Sequence, residues 1–222
     1  PSISIAEQQF SLDEVINLPY PDENPRTFAK LSTIENVQEL LKRLKVTTRY
    51  NVISKEEEIL IPGHHYSIDN RANSNFHSIQ SWCERVRIPT GNLMGYISVL
   101  ADKNPYNPVA TWIESKPWDR ISRLESFYAT IQTKPADENL KKVLMKKWLI
   151  SAIAALYEPN GVSAHGILVL QGAQYIGKTK WFKKLAPEEL EVLADGMFLN
   201  PADKDSVFQS VSKWIIELGE LD

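Results

Sequence analysis

A mixed α and β fold is predicted for this chain, with a mainly helical N-terminal region carrying a β-hairpin, followed by the first, incomplete part of an α/β core. Three observations lead there. Apolar residues recur at helical spacing through much of residues 32–157, and two strand-like runs flank a polar turn within residues 46–62. Residues 166–179, GILVLQGAQYIGKT, then read as a buried strand, a glycine-bearing loop and the start of a helix. The expected division is a linker over 1–30, a helical domain with the hairpin over 31–160, and the α/β segment over 161–222.

Each element has its own signal. Pro19, Pro21 and Pro25 favour an extended linker, with at most a short helix near residues 12–16. Ser32 and Glu35 have capping-box spacing, and Val37, Leu40, Leu41 and Leu44 follow on one helical face. Residues 46–53 and 58–62 read as strands around a turn at 54–57. Ser74 is placed to cap a helix reaching Arg87, with Phe76, Ile79, Trp82, Cys83 and Val86 as its buried stripe. After a break at 89–91, a second helix carries Leu93, Met94, Ile97, Leu100 and Ala101. These aromatic and methionine stripes are assigned to core.

Beyond a proline turn at 104–108, residues 109–114 read as a short helix. Trp118 and Asp119 are expected to open another, with Ile121, Leu124, Phe127 and Tyr128 on one face. A long helix follows from about Asp137 to Tyr157, stopped by 159–161. Then come the strand at 167–170, a helix over 178–185, a short strand within 188–199, a helix over 203–210 and a strand over 214–218.

Composition excludes several classes. At 222 residues, 43% hydrophobic and 24% charged, the chain is ordinary for a globular protein. A net charge of −3 argues against a generally basic nucleic-acid binder, though a local basic surface stays open. No apolar run reaches membrane-spanning length and no signal-peptide pattern is present, so no membrane partner is expected. Cys83 is the single cysteine, which rules out an intramolecular disulfide and points to a reducing cytoplasm. No Cys/His cluster has zinc spacing, and His64 with His65 reads as a solvated pair. The chain begins at Pro1 and stops at Asp222 just after an apolar run, so it is read as a piece of a longer protein.

The loop carries the chemistry. Gly172, Gly177, Lys178 and Thr179 fit G-x-x-x-x-G-K-[ST], the P-loop of an NTPase core. Its glycines let successive N–H groups of Gly172, Ala173, Gln174, Tyr175, Ile176 and Gly177 curl around phosphate oxygens. Lys178 is expected to reach the β- and γ-phosphates of ATP, and Thr179 to ligate Mg²⁺. Such a core needs an acid on a neighbouring strand to hold the metal shell, and another to activate water. The run KWIIELGE at 213–220 supplies Glu217 and Glu220. Both are candidate catalytic acids, with Glu217 also assigned to the metal, and spacing does not decide which contacts its shell. Lys141, Lys142, Lys146, Lys147, Lys180, Lys183 and Lys184 read first as a solvated surface, helped by a Glu138 to Lys142 pair, and second as a phosphate-tracking surface for DNA.

With these residues in view, the chain resembles the virulence-associated E family of phage and mobile-element proteins over roughly residues 31–222. The likeness rests on Arg49, Tyr50, Asn51 and Val52; on Asn107, Pro108 and Val109 with Trp118, Asp119, Arg120, Arg123 and Leu124; on the P-loop; and on Asp203, Lys204 and Asp205 ahead of residues 214–220. Arg120 stands where the family has a glycine. The resemblance implies a helical collar ahead of an ATPase core related to superfamily three helicases, often fused behind a primase-polymerase. It further implies a homo-oligomeric ring on single-stranded or forked DNA, with ATP between subunits and a neighbour's arginine completing the site. Trp118, Arg120 and Arg123 are read as packing residues at the domain boundary. By this reading the piece alone binds nucleotide weakly and hydrolyses it poorly. The alternatives are a non-catalytic DNA-binding or ring-assembly module with an inert P-loop, and a small-molecule kinase, which lacks a visible lid segment.

Overall fold

The computed structural model describes residues 12–16, 18–158, 161–164 and 166–219. They form two compact units, one of residues up to 51 with 56–106, the other of 52–55 with residues from 107 onward.

The first unit opens with α1 (Leu12–Ile16), where a short helix was expected. The stretch 18–31 differs from the expected extended linker, because it is tied down by one buried amide. Asn36 Nδ2 donates to the carbonyls of Asp22 (2.7 Å) and Leu31 (2.9 Å), and its Oδ1 accepts from the Asp22 N–H (2.9 Å). Once those bonds are made inside the protein, the amide loses little by leaving water. Lys30 adds bonds to the carbonyls of Ile16 and Val86, both at 2.9 Å.

Helix α2 (Ile34–Arg43) is capped by Thr33 rather than Ser32. The Thr33 hydroxyl accepts from Asn36 N–H at 3.3 Å, while Ser32 is drawn off to donate to the Pro89 carbonyl at 3.0 Å. Val37, Leu40 and Leu41 are buried as their spacing predicts. Strands β1 (Thr47–Asn51) and β2 (Glu56–Leu60) make the hairpin, antiparallel, with Thr47 opposite Leu60 and Asn51 opposite Glu56, so the turn falls at 52–55. Helix α3 (Arg71–Arg85) starts ahead of Ser74, because a 3₁₀ turn over Ile68–Asn70 leads directly into it. Its Ile79 and Cys83 pack with Leu93, Ile97 and Leu100 of α4 (Leu93–Asp102) in the core. A strand that hydrophobic pattern missed, β3 (Pro105–Tyr106), runs parallel to β1 and makes it the centre of a three-stranded sheet.

That sheet carries a polar knot. Glu58 accepts from Arg49 Nε (2.9 Å) and Nη2 (2.7 Å), from Asn51 Nδ2 (3.0 Å) and from the Tyr106 hydroxyl. The Arg49 guanidinium also lies 3.6 Å from the centre of the Tyr106 ring. Burial on its own raises the Glu58 carboxyl; the bonds from Tyr106, Asn51 and Arg49 outweigh it and hold the group below its ordinary value. Burial, and then the bond to Glu58, push the Tyr106 phenol up.

The second unit starts with α5 (Pro108–Glu114), capped by Asn107, whose Oδ1 accepts from the N–H groups of Val109 and Ala110 at 3.1 Å each. The helix expected from Trp118 begins only at α6 (Leu124–Tyr128). Asp119 is the reason: its carboxylate accepts from Ile121 N–H (3.0 Å) and from the Arg123 guanidinium, folding residues 119–123 as a side-chain-held turn. Trp118 is 73% exposed, so this loop is not the packing element expected of it.

The long helix α7 (Glu138–Tyr157), grouped above with residues 31–160, lies in this second unit. Its Leu156 packs against the core of Val109, Ala186 and Val192, and its Ala152 carbonyl accepts from Trp214 Nε1 at 2.9 Å. Helix α8 (Lys178–Phe182) is shorter than the expected 178–185, because i→i−3 bonds at Lys184 and Leu185 tighten the chain after it. Then β4 (Leu193–Met197), α9 (Lys204–Val211), capped by Asp203, and β5 (Ile215–Leu218) form a parallel pair with a helical crossover, Leu193 lying opposite Ile215.

The strand expected at 167–170 makes no ladder among the described residues. Residues 167–170 have no regular secondary structure, β5 pairs with β4 alone among the described residues, and Ile167 and Val169 stand 67% and 64% exposed, while Leu168 and Leu170 are half-buried. The observed class is mixed α and β with small sheets, and the described residues do not form the parallel sheet of a full P-loop core.

Candidate nucleotide-binding site

Residues 171–177 form a loop between that segment and α8. Two glycines permit its path. Gly177 has φ +95°, a left-handed conformation that a Cβ disfavours, and it hands the chain directly to Lys178 at the head of α8. A Cβ on Gly172 would stand 2.7 Å from Ile176 Cδ1, so the loop closes on itself there. Tyr175 takes φ +63° with its ring in solvent.

Lys178 spans the loop. Its Nζ donates to the carbonyls of Gly172 (2.8 Å) and Ala173 (3.0 Å), placing the ammonium at the mouth of the curl. Next to it, Thr179 Oγ1 donates to Glu217 Oε1 at 2.9 Å. Strand β5 thus delivers one acid of the 213–220 run to the first turn of α8. Glu220 lies outside the described residues.

The structure therefore brings Gly172, Ala173, Gly177, Lys178, Thr179 and Glu217 into one place. Gln174, Tyr175 and Ile176 form the outer arc of the loop. No group of three His, Cys, Asp or Glu side chains with metal-holding geometry occurs among the described residues. What the site offers a cation is one hydroxyl and one carboxylate oxygen.

The lysines divide. Lys141 is buried, with Nζ on the Ile131 carbonyl (2.7 Å) and Glu138 Oε1 (2.8 Å), so Glu138 pairs three residues on and not with Lys142 as expected. Lys142 instead meets Glu125 at 2.6 Å, and Lys183 meets Asp195 at 2.9 Å. Lys146, Lys147, Lys180 and Lys184 have no ion pair among the described residues.

Sequence reasoning missed a cleft of about 640 Å³ beside the loop, walled by residues 129–133, the N-terminal half of α7, residues 168–171 and Trp181, with Gly177 and Lys178 on its lining. Its walls come from four separate stretches of chain, and no local pattern joins them.

Every one of these elements falls in the stretch that a family comparison picks out. Residues 113–222 match the family model described as the virulence-associated protein E-like domain. The domain takes in the Asp119 turn, α6 and α7, the loop with Lys178, and the β4–α9–β5 unit. The resemblance read from the sequence reached further, to residue 31. No curated protein matches the chain. No helix among the described residues is long and apolar enough to cross a membrane.

Proposed function

We propose that the virulence-associated protein E-like domain binds ATP with Mg²⁺ and hydrolyses it, as the motor part of a phage-type replicative DNA helicase. The observation that carries this reading is the 2.9 Å bond between Thr179 and Glu217, because it joins a P-loop hydroxyl to an acid on a separate strand. Mg²⁺ prefers oxygen ligands and keeps several waters, using one or two protein oxygens with phosphate oxygens for the rest. A hydroxyl and a carboxylate fit that demand without a second acid.

In this reading the N–H groups of residues 172–177 and the ammonium of Lys178 hold phosphate oxygens. Lys178 exchanges its bonds to Gly172 and Ala173 for stronger charge-assisted ones. Thr179 and Glu217 hold the cation's inner or hydrated shell, and Glu217 or Glu220 orients the attacking water. The helicase assignment extends further, to a homo-oligomeric ring on single-stranded or forked DNA with an arginine supplied by a neighbour. It draws on the family match and on Lys146, Lys147, Lys180 and Lys184, which have no ion pair among the described residues.

The test is ATP binding and turnover with and without single-stranded DNA, beside Lys178→Ala. Binding and DNA-stimulated turnover that both collapse in the variant support the motor. Turnover untouched by Lys178→Ala overturns it.

A further inference from the structure

We infer that the cleft beside the P-loop holds the nucleoside of the bound nucleotide, with the base lodged between residues 129–133 and the N-terminal half of α7. This rests on the nucleotide-binding reading above and adds the place where the uncharged half of the ligand goes.

Size and continuity come first. Ligand pockets commonly span roughly 300–1,000 Å³, and this one, at about 640 Å³, shares Gly177 and Lys178 with the phosphate loop. A molecule whose phosphates sit on the loop has its remaining part directed into adjoining space. On the α7 side that space is faced by Leu140 and Leu144, both about half exposed, which suits a flat apolar ring.

The far wall is built. Lys141, itself buried, pins the Ile131 carbonyl at 2.7 Å; Thr133 Oγ1 donates to Glu138 Oε2 at 3.0 Å; and Trp181 Nε1 donates to Thr130 Oγ1 at 2.8 Å. The last bond ties the wall to α8 and hence to the loop. With both threonines engaged, the uncharged polar side chains left to read a base are Gln132 and Gln171. Neither has a side-chain hydrogen bond among the described residues, and an amide supplies both donor and acceptor.

Charge sets the direction. Lys178 is on the loop side, whereas Asp137, on the α7 side, has no ion pair among the described residues. A polyphosphate is drawn to the first and repelled by the second, so only the nucleoside is accommodated near Asp137.

Titration calorimetry of the full chain with ATP and with inorganic tripolyphosphate separates the two halves. Leu144→Trp fills the cleft at a half-exposed position, and Leu140→Trp repeats the test should the first variant fail to fold. The expected result is that either variant weakens ATP about tenfold or more and leaves tripolyphosphate within about twofold, while Lys178→Ala weakens both. On the unmodified chain, 8-azido-ATP should label peptides containing residues 129–133 or 140–144. ATP affinity unchanged in both tryptophan variants, or a label placed elsewhere, overturns the cleft assignment while Lys178→Ala still reports a working phosphate site. ATP binding unaffected by Lys178→Ala overturns the underlying reading and this inference with it.

Discussion

Thr179 and Glu217 share a hydrogen bond of 2.9 Å although one lies in the first turn of a helix and the other on a strand 38 residues further along the chain. Glu217→Gln keeps an oxygen acceptor for Thr179 but removes the charge. In the proposed ATPase it should leave nucleotide binding nearly unchanged and lower single-turnover hydrolysis about 10²–10⁴-fold. Binding and hydrolysis measured side by side on that variant check this, and equal losses in both would remove Glu217 from the chemistry.

The two glycines of the loop should respond unequally to alanine. At Gly177, φ +95° makes any Cβ costly, by about 1–2 kcal/mol. At Gly172 the clash is with the tip of Ile176, an exposed and flexible side chain that can turn away. Chemical denaturation should therefore rank Gly177→Ala below Gly172→Ala in stability.

The knot around Glu58 predicts acid sensitivity in the first unit. Its carboxyl is held below the ordinary 4.5, so its contribution to stability is complete above that value and fades as pH falls through the lower folded-state value. Glu58→Ala should cost about 2 kcal/mol near neutral pH, since Arg49, Asn51 and Tyr106 all lose their acceptor. The cost should shrink under acid, which denaturation curves at neutral and acidic pH will show.

Cys83 is fully buried, and burial pushes its thiol up to about 12. It should resist a thiol reagent such as DTNB in the native state at neutral pH and react at once in denaturant. Its labelling rate thus reports opening of the first unit's core.

Trp118→Ala should change stability by no more than about 0.5 kcal/mol, because the indole is mostly in solvent. A large loss in a thermal melt would mean that the indole is packed after all.

Local pattern made much of this architecture legible. The face of Val37, Leu40 and Leu41, the hairpin, and the long apolar helix before the loop all follow from spacing alone. So does the tight loop that Gly177 hands on to Lys178 and Thr179 at the start of α8, because a left-handed glycine ahead of a helix leaves the chain few other paths. Other features depended on partners remote in sequence. Ser32 and Thr33 are equal as caps until Pro89 claims the serine hydroxyl. Residues 119–123 keep a plausible helical period, but Asp119 offers the backbone a competing set of bonds. An apolar run such as 167–170 says that burial is favourable, without saying which backbone will pair with it. The direction of Lys141 was equally hidden, since its target is the carbonyl of Ile131 on another segment.

Strand β1 is the middle strand of its sheet, and its two neighbours are unequal in time. During synthesis β2 follows it at once, across a short turn, whereas β3 leaves the ribosome only after α3 and α4. The hairpin can close early, but one edge of β1 stays bare until residues 105 and 106 arrive, and Glu58 must wait equally long for the Tyr106 hydroxyl. The first unit is thus locked by its last residues, so a nascent chain halted before Tyr106 leaves bare the end of β1, at Tyr50 and Asn51, that the finished protein pairs.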